Sequence, residues 1–208
     1  PGPGRRTPGR APALLTRAAS RTGQGVRDGL LVPTTVISNG VDVRRYAPGD
    51  RHDEEVEEKY DLRDGPRILF VSRLAKDKEI HVLIKAMRHL SPELGSQLLL
   101  VGRGDDEPRL QELTDELALR DRVRFLGFVP EADLPALYRS SGLFAIASIC
   151  EVQSLPTLQA AATGLPVVAA DAVALPELVR DGVNGFLVPP ADPEGFAQAM
   201  DQILHDKA

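Results

Sequence analysis

Short runs of β-branched and other apolar residues recur along this chain, and a helical stripe fills each interval between them. The runs are "RILFV" (67–71), "QLLLVG" (97–102), "VRFLG" (123–127), "LFAIAS" (143–148) and "PVVAA" (166–170), with "GFLVPP" (185–190) as a sixth. Unbroken apolar runs of this length predict parallel strands buried on both faces. The intervals place Ile80, Leu83, Ile84 and Met87 on one helical stripe, and Leu110, Leu113 and Leu117 on another. Leu134, Leu137 and Tyr138 form a third, and Phe196, Ala199, Met200 and Ile203 form the last. Spacings of three and four give each helix one apolar face to lay on a sheet. Strand and helix in alternation, joined by short connections, predict an α/β fold: a doubly wound parallel sheet of about six strands, with helices on both sides.

Residues 1–33 break this pattern. "PGPGRRTPGRAPALLTRAASRTGQG" is rich in Pro, Gly and Arg and holds no acid, a composition that predicts disorder or a remnant segment. Residues 34–208 form the expected domain. No run reaches the roughly 20 apolar residues a membrane span needs, and no secretory signal is legible, so a cytoplasmic location is expected. A net charge of −5 and the absence of tryptophan argue against nucleic acid as a partner. The single cysteine, Cys150, permits no internal disulfide or metal spacing and is expected as a small apolar residue at a strand end.

In a doubly wound sheet, ligands bind outside the carboxyl ends of the strands. The segments that follow the strands therefore mark the candidate site. They bring Ser72 and Arg73, the Gly102–Gly104 turn, Phe128 and Val129, Glu151 to Thr157, and Asp171 to one edge. Arg73 and Lys78 are expected at the start of the first crossover helix, where an anion is favoured; alternatively they pair with Asp77 and Glu79 on a solvated helix start. "GRGDD" lacks the third glycine of a dinucleotide fingerprint, since position 107 is Glu, which weighs against a dehydrogenase. Its glycines are expected to make a tight turn and admit a ligand to the backbone. Asp105 or Asp106 is expected to cap the next helix, with Pro108 in its first turn. Ser154, Leu155, Pro156 and Thr157 open a short helix ending near Thr163 and Gly164, with its leading amides facing the crevice beside Glu151. Amides suit phosphate and a carboxylate suits hydroxyls, which points to a ligand with both ends; in the plainer alternative Glu151 caps the helix and Gln159 is an exposed amide.

"ISNGVD" (37–42), "ILFVSRLAKDKEIHVLIKA" (68–86), "LLLVGRG" (98–104), "VRFLGFVPEADLPALYRSSGLF" (123–144), "EVQSLPTLQAAATGLPVVA" (151–169) and "ELVRDGVNGFLVPPAD" (177–192) together resemble the carboxyl-terminal, donor-binding half of a retaining GT-B glycosyltransferase of group 1, family 4. The resemblance implies transfer of a sugar from a UDP-, GDP- or ADP-sugar to a sugar or lipid acceptor, without a metal or other cofactor. By position it implies Arg73 and Lys78 on the donor diphosphate, with Gly102, Gly104, Phe128 and Val129 at the nucleoside. It also implies Glu151 near the transferred sugar, and the Ser154, Leu155, Pro156 and Thr157 amides on sugar and phosphate. Gln159 stands where the family carries the second acid of an E-x7-E motif, on the ribose hydroxyls. A neutral amide is a weaker ribose partner than a carboxylate, which implies donor binding weakened about tenfold. The family's acceptor domain is expected to be absent from this chain, and a lipid acceptor implies peripheral membrane association through that domain. His52, His81, His89 and His205 fall outside the motif positions. The alternatives are a non-catalytic nucleotide-sugar-binding module or inactive fragment, and a GT-B epimerase of nucleotide sugars.

Overall fold

The computed structural model of the chain describes residues 38–50 and 53–205. The expectations for residues 1–33, and for His52, lie outside the described residues. Every described element belongs to one compact unit that begins at Val41.

Six strands form one all-parallel sheet: β1 (Arg67–Val71), β2 (Gln97–Val101), β3 (Val123–Gly127), β4 (Leu143–Ile146), β5 (Val167–Ala170) and β6 (Gly185–Val188). Their order is β3-β2-β1-β4-β5-β6. The register sets Leu69 beside Leu99 on one side and Phe144 on the other. β2, β4 and β5 are buried along their whole length, as is β1 up to its last residue. That is why their sequences are unbroken apolar runs: a strand covered on both faces has no solvent side to mark with polar residues. β3 and β6, at the edges, are half-covered. The predicted strands at 97–102, 143–148 and 185–190 each end one or two residues earlier than their apolar runs. β2 stops because Gly102 takes φ +130 and leaves the extended region.

The helices are α1 (Glu54–Lys59), α2 (Ile80–Ala86), α3 (Glu107–Glu116), α4 (Leu134–Arg139), α5 (Leu155–Ala162), α6 (Leu175–Leu178) and α7 (Pro193–His205). Pro193 opens α7 with its φ already helical, and the Asp192 carboxylate accepts from the Gly195 N–H at 2.9 Å. Phe196, Ala197, Met200, Ile203 and Leu204 then turn one buried face to the sheet and to α2. A fully buried strand residue such as Leu99 is worth about 2–5 kcal/mol against alanine in such a core. α1 is tied on from outside by ion pairing: Arg67 Nη1 meets Glu57 Oε1 at 2.5 Å and also donates to the Ser140 carbonyl.

The first crossover differs from expectation. The segment Lys76–Lys78 is a 3-10 turn closed by Glu79 at φ +50, and α2 begins only at Ile80. Lys78 thus ends a tight turn instead of starting the helix, and Arg73 lies on the loop before it.

Candidate functional site

Strand order reverses between β1 and β4: the chain runs outward to β3 from one and outward to β6 from the other. Their following loops therefore part and leave a crevice at the carboxyl edge. Across it Lys78 Nζ meets Glu151 Oε1 at 2.6 Å, with only 15% and 11% of the two side chains exposed. Asp77 lies 3.5 Å from both Lys78 Nζ and Arg73 Nη2, so two cations and two carboxylates alternate. The Ser148 hydroxyl donates to the Asp77 carbonyl at 3.2 Å, and the Ala174 N–H donates to the Glu151 carbonyl at 3.3 Å. Loops after β1, β4 and β5 are thereby joined. Of the alternative in which the two cations pair with Asp77 and Glu79, the Asp77 contacts are present, while Glu79 lies 3.6 Å from His81. Glu151 does not cap α5 with its side chain, because Lys78 holds it.

The glycine turn serves the protein's own backbone. A Cβ on Gly102 would lie 1.9 Å from the Ser72 carbonyl oxygen, and one on Gly104 2.0 Å from that of Leu74. The loops after β1 and β2 are laced together there: Ser72 N–H donates to the Val101 carbonyl, Leu74 N–H to that of Arg103, and Asp106 N–H to that of Leu74. The tight turn is present, and the close approach these glycines permit is to the neighbouring loop. Asp106 precedes α3 but its carboxylate caps nothing; it is buried and accepts from Arg109 Nε at 2.7 Å and Nη2 at 2.6 Å. Those bonds hold it below the usual carboxylate range. Pro108 sits in the first turn as expected. After β3, Phe128 is 72% exposed while Val129 is buried in the core. A groove lined by Thr114, Asp115, Arg120 and Phe125 lies against the outer strand β3, away from the crevice.

At the start of α5 the Ser154 Oγ accepts from the Thr157 N–H at 3.3 Å and from the Thr157 hydroxyl at 2.8 Å. Pro156 has no N–H. Of the four amides expected at this helix start, those of Ser154 and Leu155 remain beyond the reach of any helical carbonyl, and Leu155 is 39% exposed. Gln159 is half-buried, not an exposed amide. Its Nε2 donates to the Tyr46 hydroxyl at 3.0 Å, and its Oε1 accepts from the Tyr138 hydroxyl at 3.1 Å. The two rings meet edge to face at 5.7 Å. Burial pushes the Tyr138 phenol well above its ordinary value, so it stays a donor. Sequence reading missed Tyr46 altogether and placed Tyr138 only on a helix stripe; the contact joins residues 113 apart, beyond any local pattern. Cys150 departs from expectation: β4 ends at Ile146, the chain turns outward, and the thiol is exposed. No group of three or more His, Cys, Asp or Glu able to hold a metal occurs among the described residues, and no helix among them is long and apolar enough to cross a membrane.

Residues 65–206 match the family described as glycosyl transferases group 1. The chain is 39% identical over 186 residues to a D-inositol 3-phosphate glycosyltransferase of Salinispora tropica, covering 82% of this chain and 39% of that protein. An uncharacterized glycosyltransferase of Methanocaldococcus jannaschii, MJ1607, is 37% identical over 143 residues, which are 69% of this chain and 37% of that one. Among solved structures, Anabaena Alr3699/HepE in complex with UDP and glucose superposes with a TM-score of 0.76 at 32% identity, over 84% of this chain and 48% of that chain. The C-terminal domain of the group 1 protein LpcC from Francisella tularensis superposes with a TM-score of 0.72 at 25% identity, over 81% of this chain and 89% of that domain. The chain thus spans well under half the length of the two curated relatives.

Proposed function

The chain belongs to the group 1 glycosyl transferases, and from that premise we propose that it is the donor-binding part of a retaining enzyme that moves a sugar from a nucleoside diphosphate to an acceptor hydroxyl. The observation that carries this reading is the convergence of Arg73, Lys78, Glu151 and the start of α5 on the crevice between β1 and β4. The solved relative that holds UDP and glucose supports a uridine donor.

In the proposed reaction the bond from the sugar's anomeric carbon to the diphosphate breaks and a bond to the acceptor oxygen forms. The acceptor proton passes to a phosphate oxygen of the departing nucleotide. Negative charge grows on that diphosphate as the bond lengthens, and Arg73, Lys78 and the Ser154 and Leu155 amides are placed to meet it. Donors fixed before the charge develops lower the barrier because they need no reorganisation. This assignment needs no metal, the cations doing that work. Glu151 accepts from the sugar's hydroxyls, and the Gln159 amide from the ribose. Phe128, exposed after β3, offers an apolar face for the base, and Val129 holds that loop to the core. The Gly102–Gly104 turn shapes the nucleoside side of the pocket by fixing the loops after β1 and β2. Closure over the acceptor requires a second domain, as in other two-domain transferases.

Calorimetric titration with UDP, GDP and ADP tests the reading. Binding of at least one, weakened at least tenfold in Lys78→Met, is expected; no binding of any of the three, with the fold intact, overturns it.

A further inference from the structure

The crevice cations are not waiting bare for an anion. Lys78 Nζ has Glu151 Oε1 at 2.6 Å and Asp77 Oδ2 at 3.5 Å, and Arg73 Nη2 has Asp77 Oδ1 at 3.5 Å. Two positive and two negative side chains balance, and an arriving diphosphate competes with a carboxylate for Lys78, whereas Arg73, with 67% of its side chain exposed, is more open to it. Glu151 is the closer competitor and lies where water is scarce, so its attraction for Lys78 is less screened than that of a surface pair. Once displaced, a carboxylate so little exposed needs new hydrogen-bond donors, because leaving it unpaired is costly. Sugar hydroxyls are donors of that kind.

Resting on the sugar-nucleotide reading above, we propose that Glu151 is a displaceable counter-ion of Lys78, released by the donor's diphosphate and taken up by the hydroxyls of the donor's sugar. The two ends of the donor are then recognised by one coupled exchange. A nucleotide without sugar completes half of it and strands Glu151, whereas a sugar nucleotide completes both halves. Discrimination in favour of the sugar nucleotide follows, since the penalty on the bare nucleotide is built into the empty crevice. Asp77 serves as the internal control: it faces the same cations at longer distance and greater exposure.

The test is calorimetry with whichever of UDP, GDP and ADP the wild type binds, and with its glucose conjugate, on wild type, Lys78→Met, Glu151→Gln and Asp77→Asn. In Glu151→Gln the bare nucleotide is expected to bind about three- to tenfold tighter, from loss of the competing ion pair. The conjugate gains nothing or weakens, so preference for the sugar nucleotide falls. Asp77→Asn shifts both ligands in parallel. Glu151→Asp, which draws the carboxylate back without removing charge, gives the same change in smaller measure and serves if Glu151→Gln does not fold. Bare-nucleotide binding that is unchanged or weaker in Glu151→Gln, or both ligands moving together, overturns the exchange while Lys78→Met still upholds the site. No nucleotide binding by the wild type overturns both.

Discussion

The Gln159 side-chain amide donates to the Tyr46 hydroxyl at 3.0 Å while accepting from the Tyr138 hydroxyl at 3.1 Å. The single Tyr138 proton is shared with the Pro156 carbonyl at 3.2 Å, so the same phenol touches the first turn of α5. The two tyrosines leave the amide one further N–H and one further lone pair.

Replacement of that amide by a carboxylate is the first prediction. In Gln159→Glu both phenols donate to the acid, and a ribose hydroxyl gains a charged acceptor. A charge-assisted bond exceeds a neutral one by about 1–1.4 kcal/mol, equivalent to binding tightened about five- to tenfold. Titration of the variant with a nucleoside diphosphate checks this, and an unchanged or weaker constant removes position 159 from the ribose site.

Gly104 supplies the second. Its missing Cβ is the space occupied by the Leu74 carbonyl, which a methyl group would approach to 2.0 Å. Backbone oxygen cannot step aside as a side chain would, and the loop after β1 is pinned by the Leu74–Arg103 and Asp106–Leu74 bonds. Gly104→Ala is expected to destabilise by roughly 3 kcal/mol, in the range of severe overpacking. Urea unfolding measures it; a cost under about 0.5 kcal/mol, typical of an unremarkable surface change, would show that the loops are not locked together.

Val173 supplies the third. It holds φ +50 on the exposed loop between β5 and α6, a conformation that costs a β-branched residue about 1–3 kcal/mol. Val173→Gly removes that strain but adds freedom to the unfolded chain, at about 0.5–1 kcal/mol. The net expectation is a gain of about 1 kcal/mol, or a melting temperature higher by about 2–4 °C. A lower melting temperature would mean that the isopropyl group makes contacts worth more than its strain.

How far these features were legible follows from their range in sequence. β1, β2, β4 and β5 announced themselves because burial on both faces forbids polar interruptions. Helix α1 did not, because "EEVEEK" carries Val56 as its one apolar residue and shows no stripe, and the Lys76–Lys78 turn and α6, three and four residues long, are too short for one to repeat. The edge where the site gathers was readable from strand–helix alternation alone. The partners within it were not: Lys78 meets Glu151 across 73 residues and Gln159 meets Tyr46 across 113, distances fixed by sheet order and not by local pattern. Gly102 and Gly104 read as a turn, but that they clear the carbonyls of another loop is visible only when β1 and β2 lie side by side. Asp106 had the right place for a cap, and a competing guanidinium three residues on took it.

The last prediction concerns pH. Burial holds the His81 imidazole below its ordinary value of 6.5, outweighing the nearby Glu79; Arg109 and Lys85 push the same way as burial, and Asp106 opposes them. Its Nδ1 is buried without a hydrogen-bond partner. The unfolded chain therefore takes up a proton near 6.5 that the folded protein accepts only at lower pH. By linkage, stability from this group is complete above 6.5 and declines as pH falls from there through the folded value. Urea midpoints measured from about pH 7.5 down to about pH 5.5 are expected to fall in the wild type, the His81 contribution having at most the linkage slope of a single proton. His81→Leu, which has no proton to bind and no buried nitrogen to satisfy, is expected to flatten that fall and to be the more stable protein at the acid end. An equal decline in both proteins would assign the pH dependence to other groups.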